Sequence, residues 1–119
     1  MLEVKLCDRL LTVCPNVYPG AAPVGYKRPC VIYNRISTDP TRNLDDDDET
    51  ATVTFQIDVY SALQTEALQL SANIRANMKA WQDPDIECVA YTSRQSMIDN
   101  TTEVQLFREM TFFELFAND

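Results

Sequence analysis

Between residues 50 and 81 the spacing of apolar positions changes once. Val53, Phe55, Ile57 and Val59 alternate with Thr52, Thr54, Gln56, Asp58 and Tyr60. A repeat of two marks a strand with one face buried. The repeat then lengthens: Leu63, Ala67, Leu70, Ile74, Met78 and Trp81 lie three or four residues apart, along one face of a helix. Ser61 stands at the change with Gln64 three residues on. In that pattern a hydroxyl caps the first turn and the Gln reaches back to the cap. The spacing predicts a strand over 50–60 turning almost directly into a helix of roughly 20 residues, with this unit at the centre of the core.

The remaining elements follow in chain order. Leu2, Leu6, Leu10, Val13 and Cys14 share a face over 2–14, and Pro15 ends that helix. Asn16–Pro29 holds three prolines and both glycines of the chain, and reads as a surface loop with a short extended piece at Val17–Tyr18. Cys30–Ser37 opens with four apolar residues in a row, the pattern of a strand covered on both faces. Thr38–Glu49 is a polar, acidic connection read as an exposed hairpin arm, so the strands at 30–37 and 50–60 are expected to be antiparallel neighbours. Gln82–Asp85 is a turn, Ile86–Ser96 a strand, and Met97–Thr102 a hairpin turn through Asp99–Asn100. A last strand spans Glu103–Phe116. Val104, Leu106, Met110 and Phe112 suggest one face, but Phe107, Phe113 and Leu115 break the alternation. A bulge near Phe107–Arg108, or a second face covered by another subunit, would account for this. The order α-β-β-α-β-β predicts an α+β fold: a mostly antiparallel sheet of about four strands with both helices on one face.

Composition bounds what such a fold does. The chain of 119 residues suits a single domain spanning 1–119. No apolar run is long enough for a bilayer span, and the N-terminal stretch lacks the basic start and cleavage site of a signal peptide, so a cytosolic origin is expected. The net charge is −8, and six acids with one arginine lie between Asp39 and Glu49. The body is therefore only mildly acidic and offers no basic stripe for phosphate backbones. Cysteines 7, 14, 30 and 88 form no CxxC pair, and Cys7, Cys30 and Cys88, in apolar or strand-like contexts, read as buried free thiols.

Candidate chemistry is sparse. With no histidine, Ser-His and Cys-His nucleophile systems are excluded. Two glycines cannot build a phosphate-cradling loop. No catalytic, cofactor or metal residue is assigned. Asp45, Asp46, Asp47, Asp48 and Glu49 have the oxygens to hold a divalent cation but not the spacing of a known loop, and read first as a solvated run. Gln56 and Asp58 project from the polar face of their strand as a surface or a subunit contact. Arg35, Arg94 and Arg108 lie on separate strands, available to cross-strand acids or to the acidic arm of another copy. Candidate interface residues are thus Asp45–Asp48, Glu49, Gln56, Asp58, Arg35 and Arg108.

Taken in order, these features resemble a family. An N-terminal helix leads to Val17–Pro19 and a proline-rich loop, then to Pro-x-Val-x-Tyr-x-x-x-Ser at Pro29–Ser37. An acidic arm leads into FQIDVYS (Phe55–Ser61), a long helix, and a final strand with Arg108 before Phe112 and Phe113. The pattern resembles the tail terminator, or tail-completion, proteins of long-tailed bacteriophages across nearly the whole chain. Cys30 and the four-Asp run sit where the pattern is looser and inherit no role. The resemblance implies a non-enzymatic protein of the virion, assembled in the host cytoplasm and seated at the head-proximal end of the tail. Its expected partners are further copies of itself in a ring, with six as the number implied, the tail tube protein and the head–neck connector or stopper. DNA would pass through the lumen without specific binding. Two other readings stand beside it: another neck or head-completion adaptor, and a small bacterial α+β ligand-binding domain.

Overall fold

A computed structural model describes residues 2–40, 50–99 and 105–118. Among these, two helices and a five-stranded sheet follow the order α1 (Leu2–Leu11), β1 (Val17–Pro19), β2 (Cys30–Pro40), β3 (Thr50–Ser61), α2 (Gln64–Lys79), β4 (Ile86–Asp99) and β5 (Leu106–Asn118). Across the sheet the strands run β1-β2-β3-β5-β4. β1 is parallel to β2, and every other pairing is antiparallel. The expected α+β class and the antiparallel pairing of β2 with β3 hold. The sheet differs in being mixed and in having five strands, because Val17–Pro19 is a strand of its own, paired with Val31–Tyr33.

Both helices pack on one face. Leu2, Leu6 and Leu10 of α1 and Ala67, Leu70, Ile74 and Met78 of α2 join Val53, Phe55, Ile57 and Val59 of β3 in one buried cluster. The opening unit therefore does hold the core, with two corrections. α2 covers 16 residues rather than about 20. Its N-cap is Leu63, which has extended backbone and makes no side-chain cap bond. Ser61 remains in β3, where its hydroxyl donates to Glu66 at 2.6 Å and accepts from the Leu63 N–H at 3.1 Å. The hydroxyl steadies the strand–helix joint from outside the helix.

β5 carries a third correction. It pairs with β3 residue for residue from Ser61↔Phe107 to Thr50↔Asn118, with no bulge. The register shifts lie in β4 instead, at Ile86/Cys88 and Tyr91/Ser93. Phe113, Leu115 and Ala117 face the helices, and so do the buried Glu109 and Thr111. Polar residues on the core face and an apolar one, Leu106, buried on the other face blur the alternation. Thr111 is satisfied by donating to the Ile57 carbonyl at 2.9 Å. At the far end of the molecule Lys5 of α1 pairs with Asp83 at 2.8 Å, tying the helix to the turn before β4.

Candidate functional site

The face of the sheet away from the helices is not open along its whole length. After β1 the chain turns at Gly20, whose φ of +77° favours glycine, and the loop through Tyr26 folds back over β2. Gly20 N–H donates to the Tyr33 carbonyl at 3.1 Å, which pins the start of that loop. Cys30 and Ile32 are buried beneath it although they point away from the helical core. That explains the unbroken apolar run at the start of β2: helices cover one side and a loop the other.

A cavity of ≈ 330 Å³ lies between this loop and the sheet, reaching Asp58, Tyr60 and Arg108. Asp58 is only 3% exposed. It stands beside Met110 of β5 in register, so Arg108 two residues earlier reaches across and donates from Nη2 to Asp58 Oδ2 at 2.8 Å. Gln56 Nε2 adds a donor at 3.0 Å from the same strand. The Arg108 guanidinium stacks over the Tyr60 ring at 5.4 Å. Burial works against the charge on Arg108, yet the Asp58 hydrogen bond and charge outweigh it and raise the pKa. Burial also raises the Tyr60 hydroxyl, despite the nearby Arg108. Cys30 is pushed up to about 11, first by burial and then by Cys14 nearby. Its thiol stays protonated at neutral pH and is a poor nucleophile. The site is a locked polar contact with a protonated thiol at its floor, an arrangement suited to holding shape rather than to moving protons.

The structure thus brings Gln56, Asp58 and Arg108 together, but Asp58 is buried by the loop and Arg108 rather than presented on a solvated face. Arg35 is elsewhere. It lies opposite Phe55 in register, on the helix side, stacks on that ring at 5.6 Å and pairs with Glu3 of α1. Asp45, Asp46, Asp47, Asp48 and Glu49 fall outside the described residues. Tyr60 and Leu106 belong to the site and were not singled out for it; the non-alternating run at Cys30–Tyr33 was the signal that something covered this face. Among the described residues no three Cys, Asp or Glu side chains gather as a metal would need.

The model of one protein family, described as Tail completion protein gp17, matches residues 7–114. A comparison with curated protein sequences finds no match. Among solved structures, a chain from the virion of native gene transfer agent (GTA) particle aligns at a TM-score of 0.58 and 14% identity, over 92% of this chain and 84% of that one. At that identity the likeness is one of fold.

Proposed function

Because the chain belongs to the tail completion protein gp17 family, we propose that it acts as the terminator of a phage tail. It is a structural protein of the phage tail. In the finer reading, six copies form a ring on the last ring of the tail tube, stop its growth and offer a joining surface to the head–neck connector. The carrying observation is the family match over residues 7–114.

The fold supports it physically. A ring of identical copies needs two different surfaces on each copy that fit each other. The sheet has two unlike sides: β4 lies at one edge, and the other edge is the three-residue β1. The net charge of −8 suits a lumen through which DNA slides rather than sticks.

The test adds the purified chain to growing tail tubes. Tubes are expected to stop lengthening and to carry one added ring at one end in negative-stain images. Unhindered growth, with binding only to portal-side complexes, would replace the terminator with a head-completion adaptor.

A further inference from the structure

The two lateral sides of the sheet carry features that are unmatched within one copy and match each other. On the β4 side, Glu109 is 4% exposed. The Ser96 hydroxyl lies 2.8 and 2.7 Å from its two carboxyl oxygens. No lysine or arginine pairs with it among the described residues. A carboxylate so placed costs free energy until a cation or further donors reach it. A cleft of ≈ 360 Å³ opens onto this acid between Gln64, at the start of α2, and the hairpin residues Met97, Ile98 and Phe107. Met97 and Ile98 are 42% and 55% exposed, an apolar rim around a buried acid.

On the β1 side the loop before β2 presents the complement. Lys27 and Arg28 are exposed, and neither makes an ion pair or hydrogen bond among the described residues. Val24, three residues before Lys27, is wholly exposed. Register places the two features at one height along the strands. Cys30 stands opposite Tyr60, Tyr60 opposite Arg108, and Arg108 opposite Met97. On the face away from the helices one line therefore runs from the base of the cationic loop to Met97 at the β4 edge, and Glu109, on the helix face, is reached from that edge.

We propose that the segment Val24–Arg28 of one copy docks into the Glu109 cleft of a second copy. Lys27 or Arg28 lies against Glu109, and Val24 against Met97 and Ile98. The contact joins unlike surfaces, so copies add head to tail; with both halves at one height, successive copies gain no step along the strands, as a closed ring requires. This inference rests on the ring reading above and names its joint.

The test is cysteine cross-linking with Arg28→Cys and Met97→Cys together in a Cys88→Ser background. Within one copy Met97 lies three strand spacings, about 14 Å, from Cys30 at the base of the loop that carries Arg28, beyond the ~7 Å a disulfide spans. A ladder of linked products from dimer upward is expected under oxidation. In parallel, Lys27→Glu with Arg28→Glu is expected to weaken ring formation about tenfold, and Glu109→Gln to weaken it in the same direction, with the circular-dichroism spectrum unchanged. Wild-type rings alongside an absent ladder and unaffected charge variants would overturn the joint and leave the ring standing. A wild-type chain that stays monomeric even on tube ends would take down the ring and the joint together.

Discussion

Asp58 sits in the polar half of an alternating strand, yet its surroundings are those of a core residue. Its burial depends on two things that lie far along the chain: the loop from Gly20 to Tyr26 and Arg108 of β5. Replacing Arg108 with Ala leaves a buried carboxylate without its cation, which is expected to cost about 3–5 kcal/mol in urea unfolding. Asp58→Asn with Arg108→Met should recover most of that loss. A single-variant cost below ~1 kcal/mol would show that water already reaches the pair. The sequence singled out Gln56, Asp58 and Arg108, but their meeting depends on β5 lying next to β3. Local pattern cannot supply that, since β4 and β5 are both strand-like and either would fit beside β3.

At the scale of elements, the joint between β3 and α2 shows why a capping pattern can mislead. Ser61 has the chemistry of a cap, but continued pairing with Phe107 holds it in the strand. The cap falls to Leu63, which is 61% exposed and offers no acceptor. Leu63→Asp is therefore expected to stabilise the chain by about 1 kcal/mol, read as a rise in thermal midpoint. No gain would mean that Ser61 and Glu66 already satisfy the first turn. The helices and the β2–β3 and β4–β5 hairpins were legible because their periods are local. β1 was too short to show a period, and the face of β5 stayed open. There, Glu109 and Thr111 occupy core positions and Leu106 is buried by a loop that no repeat announces.

The whole molecule is a sheet with a protected centre and exposed sides. β3 lies mid-sheet, between β2 and β5, with helices above it, whereas every β4 residue from Tyr91 to Ile98 is exposed. Native-state hydrogen exchange should find the β3 amides the slowest and the outward-pointing amides of β4 fast in the free chain, with the latter slowed on assembly. Fast β4 exchange in assembled material would remove that edge from any contact. The antiparallel order has one more consequence. β2 leads to β3 at the end of the sheet marked by Asn118, while β4 leads to β5 at the opposite end, marked by Phe107. A strand of 12 residues separates the strand ends Pro40 and Thr50 from the strand ends Asp99 and Leu106 by about 40 Å. Neither pair of strand ends touches the other, so the two poles of the sheet offer separate places for change, and a substitution at Pro40 or Thr50 is expected to leave the pairing of Asp99 with Leu106 intact.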